Sequence, residues 1–145
     1  MDHHQRRQSC IYPTQVKTHN YHNIMKHFSI LLCLMSFVGC KAADFRSVDA
    51  ETFAQVIKDT TVVRLDVRTA NEYTQGHIPN ALLIDVTQAD FMQKAEQLLP
   101  KDKTIALYCR SGRRSKKAAM QLAQHGYQVV ELNTGFNSWK GEVEQ

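Results

Sequence analysis

From about residue 45 to residue 132, short apolar runs alternate with stretches in which apolar residues recur every three or four positions. Four runs are rich in β-branched and aliphatic residues and have the length of strands: Thr61–Val67, Ala81–Asp85, Lys103–Tyr108 and Gln128–Leu132. Phe45–Val48 predicts a short first strand ahead of them. Between the runs the pattern is helical. Asp49 is placed to cap a helix over Ala50–Lys58, with Phe53, Val56 and Ile57 on one face. Thr69 caps a short helix over Ala70–Gln75 that ends at Gly76. A third helix runs from about Ala89 to Leu99 and stops at Pro100. The fourth, Arg113–His125, turns Ala119, Leu122 and Ala123 inward and stops at Gly126. Strands alternating with helices predict an α/β fold, a parallel sheet with helices on both faces. Ligands of such sheets sit at the carboxyl ends of the strands. There is no internal repeat and no low-complexity tract.

Ahead of this pattern lies a segment of different character. Met25-Lys26-His27 precedes Phe28–Val38, an apolar run broken only by Ser29 and Ser36. The run is too short for a membrane-spanning helix, which needs about 20 residues. A basic start, an apolar middle and small residues after it are the layout of a signal peptide. Phe37-Val38-Gly39-Cys40 resembles a bacterial lipoprotein cleavage box, with Phe37 in the place of the usual Leu. Cleavage there leaves Cys40 as a lipidated N-terminus. The competing reading is ordinary signal cleavage near Ala42 or Ala43. The signal points to Met25 as the start of translation, with residues 1–40 as leader and residues 43–145 as the domain. The expected location is outside the cytosol, in the periplasm or anchored to a bacterial membrane through Cys40, the one membrane contact expected.

Charge and cysteine placement narrow the classes. The net charge of +4 is concentrated in the leader, where residues 1–40 hold four cations and one acid. The domain is close to neutral, so no nucleic-acid footprint is present. Three of the four cysteines, Cys10, Cys33 and Cys40, lie in the leader, and no spacing suggests a metal site or a disulfide framework. The local basic signal is Arg110, Arg113, Arg114, Lys116 and Lys117, directly after Cys109.

Cys109 ends a strand, and a loop with one glycine and three arginines leads from it into a helix. A free cysteine has a pKa of about 8.5, and its reactive form is the thiolate. Backbone N–H groups from Arg110 to Ser115 can converge on the sulfur or on an anion bound to it. Gly112 lets the backbone wrap closely. Such a cradle suits thiosulfate or a cysteine persulfide. Ser115 is placed either to cap the helix or to hydrogen-bond the sulfur. A cysteine phosphatase of the Cys-x5-Arg type needs an arginine six positions after the cysteine to clamp phosphate. Ser115 occupies that position and Arg114 is one place short.

Four stretches in order, covering residues 45–141, resemble the single-domain rhodaneses, a sulfurtransferase family. They are Leu65-Asp66-Val67-Arg68 followed by Glu72-Tyr73; Gly76-His77-Ile78-Pro79-Asn80-Ala81; the loop Cys109-Arg110-Ser111-Gly112-Arg113-Arg114-Ser115; and Gly135-Phe136-Asn137-Ser138-Trp139, where Thr134-Gly135 replaces the usual Gly-Gly. The resemblance implies a five-stranded parallel sheet and a nucleophilic Cys109 that carries sulfane sulfur as a persulfide. It implies that the loop, Arg110 to Ser115, binds the transferred anion. Arg68 and Glu72 are expected to form an ion pair beside the site, Asp66 and His77 to be architectural, and Trp139 to pack. The implied donor is a small anion, thiosulfate before mercaptopyruvate, because Arg rather than Gly follows the cysteine. The implied acceptor is a small thiol or cyanide, and no metal or organic cofactor is implied. The alternative is a persulfide carrier or binding module that keeps the fold without turnover.

Overall fold

The computed structural model describes residues 44–145. The signal peptide, Met25 and the lipidation candidate Cys40 lie outside the described residues. Five strands form one parallel sheet: β1 (Arg46–Val48), β2 (Val63–Asp66), β3 (Leu82–Leu83), β4 (Thr104–Tyr108) and β5 (Gln128–Leu132), in the spatial order β1-β5-β4-β2-β3. The helices are α1 (Ala50–Val56), α2 (Ala70–Thr74), α3 (Phe91–Leu98) and α4 (Arg113–Gln124), and a 3-10 turn at Phe136–Ser138 follows β5.

The capping residues act as their chemistry predicts. Asp49 accepts from the Thr52 amide, and Thr69 and Glu72 form a reciprocal capping box at the start of α2. Several ends differ from the periodicity. The strand expected over 61–67 begins at Val63, because Asp59 accepts from both the amide and the hydroxyl of Thr61 and holds a turn there. The strand expected over 81–85 keeps only Leu82–Leu83: Asp85 turns the chain by accepting from the amide and hydroxyl of Thr87. The same turn delays α3 to Phe91.

Alternation along the strands builds two cores, one on each face of the sheet. Leu65, Ile105, Leu107, Cys109 and Val129 face α3 and α4, where they meet Phe91, Ala95, Ala118, Ala119 and Leu122. Ala106, Tyr108, Val130 and Leu132 face the other way onto Phe53 of α1 and Ile57 at its C-terminal cap, with Trp139 packed against them. The buried stripe of α4 is Ser115, Ala118, Ala119 and Leu122, while Ala123 is only half-buried. The inward face is therefore rotated toward the helix start relative to the sequence expectation, and this carries Ser115 beneath the helix. Within β2, Arg64 is accommodated because its guanidinium donates to the carbonyls of Ile57 and Pro79.

Candidate active site

β4 delivers Cys109 to the carboxyl end of the sheet, and residues 110–112 fold back over it before α4 begins. Cys109 is 1% exposed. The amide of Gly112 donates to Cys109 Sγ at 3.2 Å. Burial pushes the thiol up. The Ser115 hydroxyl and the amides of Ser115, Ser111 and Gly112 outweigh it, so the thiol lies below its ordinary value. The loop thus favours the thiolate through backbone N–H groups and a hydroxyl, and the same donors suit a second anionic sulfur in its place.

The loop's shape depends on close backbone packing. Gly112 has φ +89°, and a Cβ there would stand 1.9 Å from the Asn133 carbonyl oxygen. From outside, the turn after β5 holds the loop: the Phe136 amide donates to the Cys109 carbonyl at 2.7 Å and the Asn137 amide to the Arg110 carbonyl at 3.0 Å. The Gly135-Phe136-Asn137-Ser138-Trp139 stretch is in this way part of the site's frame.

The arginines divide by role. Arg114 makes a bidentate pair with Glu72 of α2, at 2.8 and 2.7 Å, and its positive charge also faces Cys109. This pair holds the Glu72 carboxyl down to about 2; burial opposes it and the Thr69 amide and hydroxyl assist. Arg110, Ser111 and Arg113 line, with Glu72 and Arg114, an open cavity of ≈ 400 Å³ over the loop. Arg110 and Arg113 make no ion pair among the described residues. Their charge faces solvent where an anion would approach.

The expected Arg68–Glu72 ion pair does not form. Arg68 instead grips Asp66, with Nε and Nη2 on the carboxylate at 2.6–3.0 Å, and donates to the Gly76 carbonyl at 2.7 Å. Its guanidinium lies 4.2 Å from the centre of the Phe136 ring. Both partners are buried, and the pair ties the end of β2 to the Gly76 turn and to the turn that holds the loop. Asp66 accepts from the Arg68 amide as well, at 2.9 Å. His77 is buried too, stacked on Tyr73, with Nδ1 at 3.2 Å from the Tyr73 carbonyl; its backbone pairs with Glu144 in an isolated bridge.

One site residue was not singled out from the sequence. Glu131 of β5 is fully buried, accepting from the Ser115 hydroxyl at 2.6 Å and from the Ser47 hydroxyl at 2.6 Å. The signal was present: strand alternation from the inward Val129 places Glu131 on the same face. Ser115 also donates to the Gly112 carbonyl at 2.9 Å. Gly112 takes the N-cap position with no side-chain cap bond, so of the two roles expected for Ser115 capping is not the one its hydroxyl plays; that hydroxyl helps to lower the Cys109 thiol.

Comparison with known proteins agrees with this geometry. A sulfurtransferase of Allochromatium vinosum is 37% identical over 94 residues, spanning 63% of this chain and 85% of the relative. The thiosulfate sulfurtransferase GlpE of Coxiella burnetii is 31% identical over 87 residues, 59% of this chain and 78% of the relative. The crystal structure of a rhodanese-related protein from Thermoplasma volcanium superposes with a TM-score of 0.61 at 30% identity, covering 69% of this chain and 98% of that one. The family model described as the rhodanese-like domain matches residues 49–142, from the first helix through the cysteine loop to the turn that braces it, and the chain belongs to that family.

Proposed function

We propose that the protein is a thiosulfate sulfurtransferase in which Cys109 carries the sulfur. The observation that supports this most is the amide cradle: the Gly112 N–H at 3.2 Å from a thiol held below its ordinary value, beneath two arginines open to solvent. The Cys109 thiolate attacks the outer sulfur of thiosulfate. A new S–S bond forms, the S–S bond of thiosulfate breaks, and sulfite leaves with the electron pair. The product is a Cys109 persulfide, whose terminal negative charge the loop donors stabilise. An incoming thiolate or cyanide then attacks the terminal sulfur, and Cys109 departs as the thiolate. The cycle is balanced without an external oxidant or reductant. Arg110 and Arg113 raise the local concentration of the anionic donor.

Treating the full chain with thiosulfate and weighing the peptide that carries Cys109 tests this reading. A gain of about 32 Da, one sulfur, is expected in the wild type and not in Cys109→Ser. Absence of the adduct from a correctly folded wild type refutes it.

The leader sets the place of action in the same proposal. A signal over Met25–Val38 ending at Cys40 directs the domain out of the cytosol, with Cys40 as lipid anchor. Labelling cells with a tagged fatty acid is expected to mark the wild type and not Cys40→Ser. An unmarked wild type rules out the anchor.

A further inference from the structure

The domain's charge is unevenly placed. Residues 44–145 hold thirteen cations and thirteen acids, yet five of the cations fall between Arg110 and Lys117, a stretch without an acid. Glu72 engages one of them, Arg114. Arg110, Arg113, Lys116 and Lys117 are exposed and make no ion pair among the described residues. Arg113, Lys116, Lys117 and Met120 stand at the spacing that forms one stripe of a helix. The buried stripe of α4, Ser115, Ala118, Ala119 and Leu122, runs two residues out of phase, which sets the first stripe on the opposite, solvent side. Met120 is 52% exposed there. At one end of the stripe Arg113, with Arg110, lines the cavity over the cysteine loop. Met120 lies roughly 10 Å further along the helix axis.

This stripe works against the helix that carries it. The first turn of α4 holds no acid, although the positive end of a helix dipole favours acids over cations. Arg113 also repels Lys116 and Lys117 at three and four positions' distance. Thiosulfate does not account for the arrangement, because Lys116, Lys117 and Met120 do not line the cavity. A ligand that meets both the cavity and Met120 must be longer than about 10 Å. It must carry several negative charges and an apolar contact. A phosphate backbone presents charge alone, whereas an acidic protein surface presents carboxylates around an apolar side chain.

We propose that the outer face of α4 docks an acidic partner protein whose cysteine thiol takes the sulfur from Cys109. The partner's carboxylates meet Arg113, Lys116 and Lys117, and an apolar side chain covers Met120. From there its thiolate attacks the outer sulfur of the Cys109 persulfide. An S–S bond forms on the partner, the S–S bond to Cys109 breaks, and Cys109 leaves as a thiolate with the electron pair. The partner departs as a persulfide, total charge is unchanged, and no other reactant enters. The transfer rests on the persulfide of the proposed function; the docking does not.

The probe is an acidic peptide of about twelve residues, long enough when extended to span the stripe, with one cysteine, several glutamates and a leucine. Its control carries glutamine in place of every glutamate. The full chain is loaded to completion with thiosulfate, and loss of the added sulfur from Cys109 to each peptide is timed by mass spectrometry. The acidic peptide is expected to discharge the sulfur at least about tenfold faster at low salt. Added salt and Lys116→Glu/Lys117→Glu should each abolish that advantage. Glutamate suits a helix start, so the double variant should melt no lower than the wild type. Discharge to 2-mercaptoethanol should agree between the two proteins within about twofold, because neither lysine lines the cavity. Equal rates for the two peptides, or an acidic advantage that survives the double reversal, overturns the proposal.

Docking is also read without sulfur, by fluorescence anisotropy of the same labelled peptides with serine in place of their cysteine. Tighter binding of the acidic peptide, weakened by Lys116→Glu/Lys117→Glu and by Met120→Ser, supports the docking surface even in a chain that never accepts sulfur from thiosulfate. Without that binding the surface is refuted even if Cys109 loads normally. A single-stranded oligonucleotide or an anionic phospholipid vesicle that binds the full chain more tightly than the acidic peptide at the same salt, through the same lysines, assigns this face to another kind of partner and overturns the proposal.

Discussion

Gly135→Ala probes how the turn after β5 holds the cysteine loop. Gly135 has φ 65° and ψ −168°, a region that only glycine occupies readily. A Cβ at this position would stand 2.5 Å from the Cys109 carbonyl oxygen and 2.6 Å from both the Arg110 carbonyl carbon and the Ser111 nitrogen. All three are backbone atoms that cannot swing aside, so the loop and the turn must separate. The backbone conformation alone costs about 1–3 kcal/mol. Separation also weakens the two amide bonds from Phe136 and Asn137 to the loop carbonyls, at about 0.5–1.5 kcal/mol each. The expected destabilisation is about 3 kcal/mol, a fall in Tm of roughly 10–20 °C for a domain of this size. A loop displaced by about 1 Å is expected to lose about 100-fold in the rate of persulfide formation. Gly126→Ala serves as the control. Gly126 also has a positive φ, +85°, but nothing lies within 4 Å of an added Cβ. It is expected to cost about 1 kcal/mol of stability and leave sulfur loading unchanged. Thermal melts and the rate of the mass gain on Cys109 give both readouts. If Gly135→Ala loads sulfur as fast as Gly126→Ala and melts with it, the turn does not position the loop and the reasoning fails.

Two further outcomes follow from the arginines. The Glu72 carboxyl lies at about 2 in the folded chain against an ordinary 4.5, so its contribution to stability is complete above about pH 4.5 and is lost as the pH falls toward 2. Because the pair sits at the water-facing rim, screening reduces that contribution to about 1 kcal/mol. Glu72→Gln should be less stable by that amount at pH 7 in urea titrations, the gap closing between pH 4.5 and 2, and a gap that persists at pH 2 contradicts the assignment. Replacing both Arg110 and Arg113 with Gln should raise KM for thiosulfate about tenfold at low salt with little change in kcat, and added salt should shrink the difference. Equal KM values at low salt would show that these charges do not gather the donor.

Local signals carried much of this fold. Asp49 and Thr69 stand where a capping side chain meets the first amides of a helix, and both cap in the structure. β5 runs over Gln128–Leu132 as the apolar run predicted, and Cys109 lies at a strand's carboxyl end next to a helix start. Such features depend on a residue and its near neighbours, so they can be read from the chain alone. The family motifs likewise marked the cysteine loop and the turn that braces it.

The partners of long charged side chains were not legible in this way. Arg68 and Glu72 are near in sequence and of opposite charge, yet Arg68 turns to Asp66 while Glu72 reaches across 42 positions to Arg114. The choice depends on where α2 and the start of α4 meet above the sheet, which sequence spacing does not encode. The two-residue length of β3 was settled by an Asp85 side chain that turns the backbone early. Ser115 and Glu131 show the same division most clearly. The sequence alone determined that Ser115 follows the cysteine loop and that Glu131 interrupts an apolar strand. Only the packing of α4 on β5 brought the two within 2.6 Å, because a hydrogen bond needs its atoms placed to a few tenths of an ångström and only the assembled sheet and helix fix them that closely.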